Sequence, residues 1–440
     1  MKIYSAKYVL PISSRAIADG AVAVDRGRIV AVGPAGSVSA AVGGGAERVA
    51  LGDAVILPGL VNSHTHLELS WTAATRVSCQ RGSSHISPAL DNAGGVGPPV
   101  LAHGDYAGWL RRLLELRDAG TPADAGDHVA RALGAMAARG TVAVGDVTND
   151  GSTAVRLAAS PLHAVVFVEL YGLRAEETER RLTEAVARLE SIAAAPEVAA
   201  AGDRLRLALT PHAPHTTGPP LLRALAGRAA AARGALSVHV AESRAEVELL
   251  ADGEGPLAEL FRERAFLPPG WTAPGRSPVE QLRRAGALSA RTLAVHCVHL
   301  EQVDRSTLQA SGATVVTCPR SNAALGVGVA PVPELLREGV PVALGTDSLA
   351  SAPDLDLFAE MRAAREIHPD LPAAAVVRMA TLNGARALGL SDRLGSIEPG
   401  KLAELIVVPL DGAVDRPFDA ICGMPEQVWR LEQAPVGTPP

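Results

Sequence analysis

Residues 127–147 read DHVARALGAMAARGTVAVGDV, and this stretch contains both elements from which most of the chain is built. Its first part, up to Gly140, spaces apolar residues as an amphipathic helix does. Its second part is a short apolar run rich in valine, which is typical of a strand buried on both faces of a parallel sheet. The stretch therefore predicts a helix that leads into a buried strand.

Runs of the same kind recur along the chain, with helical patterns between them. Eight are present: VILPGLV (55–61), TVAVGDV (141–147), HAVVFVEL (163–170), RLRLALT (204–210), ALSVHVA (235–241), TLAVHCV (292–298), ATVVTC (313–318) and PVALGTD (341–347). Eight alternating strand and helix units predict an α/β fold with a closed, parallel (β/α)8 barrel of the TIM type. Such barrels carry their catalytic groups at the carboxyl ends of the strands.

The two ends of the chain have a different pattern. The first 57 residues contain short β-branched runs, such as AVAVDRGRIVAVG (21–33), and the segment GSIEPGKLAELIVVPL (395–410) again has turn and strand signals. We therefore predict a small β-sandwich domain built from both termini, with one part in residues 1–57 and the other, with a C-terminal tail, in 396–440. The barrel is predicted over residues 58–395.

Composition excludes several classes of protein. The 440 residues are 48% hydrophobic and 20% charged, which is enough apolar material for a large core. The 41 Lys and Arg against 47 Asp and Glu give a net charge of −6, so neither nucleic acid nor an anionic membrane is a predicted partner. The 4 cysteines lie far apart, which argues against a disulfide scaffold or a thiolate metal cluster. We expect a soluble, cytoplasmic protein.

Polar side chains follow several of the predicted strands at the point where each strand ends. His64 and His66 are two residues apart on an extended segment, so they project from the same side of the chain. The fifth run ends with His239, the sixth with His296 and the eighth with Asp347. Because these ends meet at one mouth of the barrel, the sequence predicts that the side chains form one site.

Three imidazoles and one carboxylate form a donor set that suits a divalent metal ion. We assign His64, His66, His239 and Asp347 as the predicted ligands of one ion, with Zn²⁺ favoured and Fe²⁺ or Mn²⁺ also compatible with these donors. Such an ion lowers the pKa of a bound water towards about 7, so hydrolysis is the predicted class of reaction.

The motifs LPGLVNSHTH (57–66), TPHAPH (210–215), HVAES (239–243), AVHCVH (294–299) and GTDS (345–348) together resemble the amidohydrolase superfamily. The resemblance is to its aminohydrolase branch, which includes the S-adenosylhomocysteine, guanine and aminodeoxyfutalosine deaminases and the triazine chlorohydrolases. It covers nearly the whole chain, and it implies a distorted (β/α)8 barrel, a composite β-sandwich and homodimers. One departure is Glu404, where members usually have Asp.

The resemblance also implies roles for individual residues. Relatives with two metals usually bridge them with a Lys or an acid from the third or fourth strand. Glu169 is the only such candidate in these runs, and the likeness to deaminases favours one metal. Glu242 corresponds to the proton shuttle of the similar deaminases, and we expect it to protonate a ring nitrogen. His296 and Asp347 are expected to accept the proton of the attacking water.

The substrate is predicted mainly from the resemblance. His212 corresponds to a histidine that contacts the nucleoside in adenosine-type members, and Glu68 is a candidate acceptor for ribose hydroxyls, with a structural role as the alternative. The segments HTHLELS (64–70), CPRSN (318–322) and GTDSLAS (345–351) look most similar to aminodeoxyfutalosine deaminases of menaquinone biosynthesis. That substrate carries a carboxylate, for which we name three candidate partners: Arg81, Arg174 and Arg320.

Other functions stay open on the sequence alone. The nearest alternative is a deaminase of S-adenosylhomocysteine, methylthioadenosine, adenosine or guanine. A chlorohydrolase or carbamate hydrolase is the second alternative, and a barrel without catalysis that serves as a binding module is the remote one. The polar segment 70–104 is unusually long for a loop of such a barrel, and loops of that length tend to be lids or binding loops.

Overall fold

The computed structural model describes residues 1–73, 105–412 and 414–435. Strands from both ends of the chain form one sheet, in the order β15-β14-β5-β1-β2-β3, with β4 paired to β1. These strands are β1 Lys2–Val9, β2 Ile17–Asp25, β3 Arg28–Pro34, β4 Glu47–Ala50, β5 Ala54–Pro58, β14 Leu405–Pro409 and β15 Trp429–Arg430. Strand β14 pairs antiparallel with β5, so that Ile406 lies opposite Leu57. The two ends therefore share one sheet, while the domain limits given above stay a prediction.

Eight parallel strands form the central part of the molecule, in two runs of four. The strands are β6 Leu60–Thr65, β7 Thr141–Thr148, β8 His163–Leu170, β9 Leu205–Pro211, β10 Leu236–Val240, β11 Thr292–His296, β12 Thr314–Thr317 and β13 Val342–Leu344. The first run has the order β6-β7-β8-β9 and the second β10-β11-β12-β13. Each of the eight predicted apolar runs contains or overlaps one of these strands.

The two runs meet at both edges and so form a barrel. At one edge, the backbone N–H of His239 donates to the carbonyl of His212 at 2.9 Å, which joins β10 to the end of β9. At the other edge, the N–H of Asp347 donates to the carbonyl of His64 at 3.1 Å, and a parallel bridge links Thr65 to Asp347. The fold is the predicted α/β barrel, and predicted site residues themselves take part in its closure.

Helices connect the strands; most of them cover the outside of the barrel, whereas the first packs on the terminal sheet. They are α1 Ala35–Val42, α2 Tyr106–Asp118, α3 Ala125–Ala138, α4 Ala154–Ala159, α5 Thr178–Ala193, α6 Pro196–Ala201, α7 Pro219–Ala231, α8 Arg244–Ala251, α9 Pro256–Glu263, α10 Pro278–Ala285, α11 Gln302–Ser311, α12 Pro319–Leu325, α13 Val332–Arg337, α14 Leu357–Ile367, α15 Ala373–Arg378, α16 Gly384–Ala387 and α17 Pro417–Cys422. Within the described ranges, no helix is both long and apolar enough to cross a bilayer.

The inside of the barrel is a packed core rather than a channel. Phe167 and four apolar side chains from other strands, Val61, Val295, Val316 and Ala343, belong to one fully buried cluster. Filling the barrel in this way leaves only its mouth for a site, at the carboxyl ends of the strands. Most of the predicted loop at this mouth, residues 74–104, lies outside the described residues.

Candidate metal centre and catalytic cleft

The predicted metal ligands lie together at the mouth of the barrel. Oδ1 of Asp347 is 3.8 Å from Nε2 of His64 and 3.9 Å from Nε2 of His66. Nε2 of His66 is 3.1 Å from Nε2 of His239. His64, His66 and Asp347 therefore direct ligand atoms at a common point, and His239 borders it.

Backbone geometry at the strand ends helps to aim two of the site's side chains. Asp347 and His296 have φ values of 58° and 71°, in the left-handed region that residues other than glycine seldom adopt. His296 is the last residue of β11, and Asp347 follows shortly after the end of β13 at Leu344. Backbone strain of this kind is commonly found at functional sites, where the surrounding structure maintains it.

The protonation pattern of the histidines fits a bound cation. Both ring nitrogens of the fully buried His64 have no hydrogen-bond partner among the described residues. Nδ1 of His239 lies 2.9 Å from the carbonyl oxygen of His212, so Nδ1 carries the proton and Nε2 presents a lone pair. Burial lowers the pKa of His64, His66 and His239, in the last case to about 4. Neutral imidazoles with lone pairs facing a carboxylate are the donors that a divalent metal ion requires.

Two serine hydroxyls hold the carboxylate of Asp347. Ser321 donates to Oδ2 at 2.5 Å and Ser351 donates to the same oxygen at 2.8 Å, which leaves Oδ1 directed at the histidines. Burial alone would raise the pKa of Asp347, but the nearby His296 and His64 together with these hydrogen bonds hold it below its ordinary value. The carboxylate is thus ionised and oriented.

Glu242 lies beside His296. Its Oε1 is 3.5 Å from Nε2 of His296, and its Oε2 accepts a hydrogen bond from the hydroxyl of Tyr106 at 3.0 Å. Nδ1 of His296 is in turn 2.9 Å from Oδ1 of Asn322. Burial raises the pKa of Glu242 above its ordinary value. A raised pKa favours the protonated form of a carboxyl group, which is the form that acts as a general acid.

These groups share one cavity of about 440 Å³. Its lining includes His66, His239, Glu242, His296 and Asp347 on the polar side. Its other side is a wall of apolar side chains, which we call the apolar wall: Trp109, Leu110, Leu113, Leu114, Phe261 and Phe266. A concave site with few polar groups and an apolar surround is the usual form of a small-molecule site.

The structure places the two predicted substrate contacts differently. His212 lines the cavity, and its Nδ1 is 2.7 Å from the hydroxyl of Thr216, which leaves Nε2 for a ligand. Glu68 lines a neighbouring cavity instead. Arg117 and Asn149 donate to its Oε1, and Thr148 donates to its Oε2. Both oxygens of Glu68 therefore accept hydrogen bonds from the protein, and its contact with ribose stays a prediction.

The arginines predicted to meet a substrate carboxylate do not line the described part of the cavity. Arg320 is held by Asp354 at 2.6 Å, and Arg174 pairs with Glu177 at 3.9 Å. Arg81 lies outside the described residues. The cavity is instead lined by Arg117 and Arg264.

Sequence reasoning missed several residues of the site. Ser321 and Ser351 stand in the quoted segments CPRSN and GTDSLAS, so the motifs contained them without revealing their contacts. Glu169, considered only as a bridge between metals, lines the cavity, and its Oε2 has no hydrogen-bond partner in the described ranges. The sequence around Tyr106 does not indicate its contact with Glu242, because the two residues are 136 positions apart in the chain.

Comparison with known proteins identifies the class to which this fold and site belong. The sequence model of the amidohydrolase family matches residues 55–426 of the chain. The chain belongs to the amidohydrolase family.

Two curated relatives illustrate the branch. The chain is 34% identical over 414 residues to the 5-methylthioadenosine/S-adenosylhomocysteine deaminase of Moorella thermoacetica, covering 91% of this chain and 84% of the relative. It is 33% identical over 371 residues to the 5'-deoxyadenosine deaminase of Methanothermobacter thermautotrophicus, covering 80% and 73%. The chain is accordingly a metal-dependent hydrolase of carbon–nitrogen bonds from the branch that contains the nucleoside deaminases.

Solved structures share the architecture. A zinc-bound adenosine deaminase from Xanthomonas campestris superposes with a TM-score of 0.74 at 27% identity, covering 97% of this chain and 91% of that chain. Helicobacter pylori aminofutalosine deaminase, in complex with methylthio-coformycin, superposes with a TM-score of 0.80 at 23% identity, covering 97% of each chain. At that identity the second likeness concerns the fold alone.

Proposed function

We propose that the protein is a hydrolytic deaminase of adenine nucleosides that carry a substituent at the 5′ position. The observation that carries this proposal is the 3.5 Å approach of Glu242 to His296 in a cavity that three of the candidate metal ligands, His66, His239 and Asp347, also line. Deamination requires a proton donor for the ring and an acceptor for the proton of water, side by side. The names of the curated relatives support the same chemistry.

We further propose that His64, His66, His239 and Asp347 hold one divalent ion, with Zn²⁺ the favoured identity. The zinc in the Xanthomonas campestris structure supports this choice. When bound, such an ion supplies Lewis-acid activation of water at neutral pH. A carboxylate oxygen of Glu169 lies within 4.8 Å of ligand atoms of His66 and His239, and we propose that it contacts the substrate rather than a second ion.

The reaction then divides between three side chains. Glu242 protonates the ring nitrogen next to the carbon that bears the amine, which makes that carbon electrophilic. His296 and Asp347 accept the proton of the attacking water, which forms the new carbon–oxygen bond. The proton taken from water passes to the amine and the carbon–nitrogen bond breaks. The new hydroxyl loses its proton to Glu242 as the carbonyl forms, so one water is consumed, one ammonia leaves and Glu242 is protonated again.

Two groups on one side of the cavity are proposed to bind the nucleoside. Nε2 of His212 is available for the base or sugar, as described above. Oε2 of Glu169 is buried, lines the cavity and lacks a partner in the part of the chain that the structure describes. The hydroxyl of Tyr171 donates to the other oxygen, Oε1, and so fixes the carboxyl group. We assign to Glu169 the ribose contact that the sequence suggested for Glu68.

The apolar wall is proposed to hold the 5′ substituent. An aryl or thioether group would cover the leucine and phenylalanine side chains of this wall, where burial of apolar surface favours binding by about 25 cal/mol per Å². Arg264 lines the same cavity and is one-third exposed, which makes it our candidate for a terminal carboxylate. Aminodeoxyfutalosine, an intermediate of menaquinone biosynthesis, combines an aryl group with a carboxylate and is our first choice of substrate.

A substrate panel tests these proposals. Ammonia release and the change in purine absorbance would be followed with metal-replete protein and aminodeoxyfutalosine, S-adenosylhomocysteine, methylthioadenosine, adenosine and guanine. Preference for the first compound supports a role in menaquinone biosynthesis. Preference for methylthioadenosine or S-adenosylhomocysteine keeps the nucleoside deaminase and overturns the choice of substrate. No release from any of the five, with one equivalent of metal bound, overturns the deaminase proposal.

A further inference from the structure

A tyrosine at the start of helix α2 contacts the carboxyl group of Glu242. Tyr106 is the first residue of α2, and its hydroxyl donates to Oε2 of Glu242 at 3.0 Å. The other oxygen, Oε1, faces Nε2 of His296 at 3.5 Å. Each oxygen of this carboxyl group therefore has one neighbour of its own.

We propose that Tyr106 is a positioning residue that selects the oxygen of Glu242 from which the proton is delivered. The proposal rests on the deaminase function argued above. Because the hydroxyl donates its single hydrogen to Oε2, a proton held by Glu242 resides on Oε1. Oε1 is the oxygen on the side of His296, where the reacting atoms meet. Without Tyr106, either oxygen can carry the proton and the side chain can rotate.

Residues other than Tyr106 fix the backbone at Glu242. Tyr106 can therefore affect the Glu242 side chain without changing the backbone. The carboxylate of Glu246 accepts the backbone N–H of Ala241 at 3.1 Å and the N–H of Glu242 at 2.8 Å. Ser243 caps the N-terminus of α8 by accepting the N–H of Glu246 at 3.2 Å. The remaining freedom lies in the side-chain torsions of Glu242, and fixing them costs rotamer entropy.

Helix α2 is anchored firmly enough to deliver this hydroxyl. Asp105 caps its N-terminus by accepting the N–H of Gly108 at 2.9 Å. Two ion pairs of 2.5 Å join it to the region of α9, between Arg111 and Glu263 and between Arg264 and Asp118. Tyr106 is therefore presented by a helix that is tied to the rest of the barrel mouth.

The test is a double-mutant cycle in Y106F, E242Q and the double variant, with the best nucleoside of the panel. We expect Y106F to lower kcat about tenfold or more, within the range that general acid catalysis contributes, and to change KM by less than threefold. In the E242Q background the same change should alter kcat less than twofold, because its effect passes through Glu242. The control is Y8F, which removes a tyrosine hydroxyl that donates to the carbonyl of Val414 in the terminal sheet. It should leave both constants unchanged.

Equal kcat values for Y106F and the wild type overturn the proposal. It is also overturned if Y106F lowers kcat by the same factor in the E242Q background as in the wild type. Crystal structures of the wild type and Y106F provide a second readout, in which a changed Glu242 side-chain torsion supports the proposal and an unchanged one contradicts it. If no nucleoside is deaminated, the proposed deaminase function is wrong, and the crystal structures still test whether Tyr106 positions the side chain of Glu242.

Discussion

Ser321 donates a hydrogen bond of 2.5 Å to Oδ2 of Asp347, while Oδ1 of the same carboxylate faces His64 and His66. The two oxygens thus have separate tasks, since one is bound by the protein and the other is directed at the candidate metal. Ser351 reinforces the division by donating to the same Oδ2 at 2.8 Å. Partners of this kind orient a metal ligand and raise the affinity of the site.

The double change Ser321→Ala and Ser351→Ala is expected to weaken metal binding by about 10- to 100-fold, the usual effect of removing such partners. Titration with a competing chelator, followed by metal analysis, measures the change. Ser306→Ala is the control, because the exposed Ser306 hydroxyl donates to the carbonyl of Gln302 within helix α11. An affinity unchanged in the double variant would show that Asp347 is oriented without the serines.

Glu169 and Glu68 provide a matched pair of substitutions. Glu169→Gln is expected to raise KM for ribonucleosides by up to about tenfold and to reduce the preference for ribose over 2′-deoxyribose, since a hydrogen bond contributes about 0.5–1.5 kcal/mol. Glu68→Gln is expected to lower the melting temperature without that loss of sugar preference, because Arg117, Thr148 and Asn149 occupy its oxygens. Steady-state kinetics and thermal unfolding of both variants check this, and the reverse assignment of effects would contradict it.

The pH dependence of kcat should report Glu242. Burial raises its pKa, and a general acid must be protonated at the start of the reaction, so kcat should fall as pH increases through that raised value. Glu242→Gln removes both the proton donor and this alkaline limb, and should lower kcat by about 10²- to 10⁴-fold. A Gln variant that keeps full activity would support a chlorohydrolase or carbamate hydrolase, which needs no proton donor at this place.

Arg264 should discriminate between substrates with and without a carboxylate. Arg264→Gln is expected to lower kcat/KM for aminodeoxyfutalosine or S-adenosylhomocysteine about tenfold or more, and to leave methylthioadenosine within twofold. Arg111→Gln is the control, because Arg111 makes a comparable ion pair with Glu263 but does not line the described part of the cavity. Equal losses for charged and uncharged substrates would reduce Arg264 to a structural role.

The stability of the fold should depend on Asp146, which is fully buried beneath the site. Burial raises its pKa from 3.8 to about 8, although Thr153 and the N–H of Leu67 donate to its oxygens. Between these two pH values the folded chain retains a proton that the unfolded chain has lost, so the free energy of unfolding should decrease as pH rises. Urea unfolding at pH 5 to 8 should show a flatter dependence for Asp146→Asn. Equal slopes for both proteins would contradict this prediction.

The sequence predicted the barrel and its metal-binding end because both depend on local order along the chain. In the sequence, a short apolar run indicates a strand that is buried on both faces. A polar residue near the end of the run indicates the end of that strand. His64, His239 and His296 lie in the last two residues of their strands, and His66 and Asp347 lie shortly beyond the ends of theirs. Parallel strands bring these ends together. The eight strands and the common location of these residues therefore followed from one-dimensional information.

The choice between Glu68 and Glu169 could not be made in this way. Both are acids at the end of a barrel strand, and both lie near His66. Arg117, on α2, donates a hydrogen bond to Glu68 and so occupies one of the Glu68 oxygens. In contrast, Oε2 of Glu169 has no hydrogen-bond partner in the described part of the chain. Neither sequence position carries a signal for that difference.

The sequence by itself thus determined the fold class, the order of the strands and the residues at their ends, since these follow from hydrophobic periodicity. Only the tertiary structure decided which residues support them: Ser321 and Ser351 on Asp347, Tyr106 and Glu246 on Glu242, and Arg264 in the cavity. The physical reason is that hydrogen bonds and ion pairs act over about 3 Å in space. Such distances join residues whose separation along the chain has no regular period.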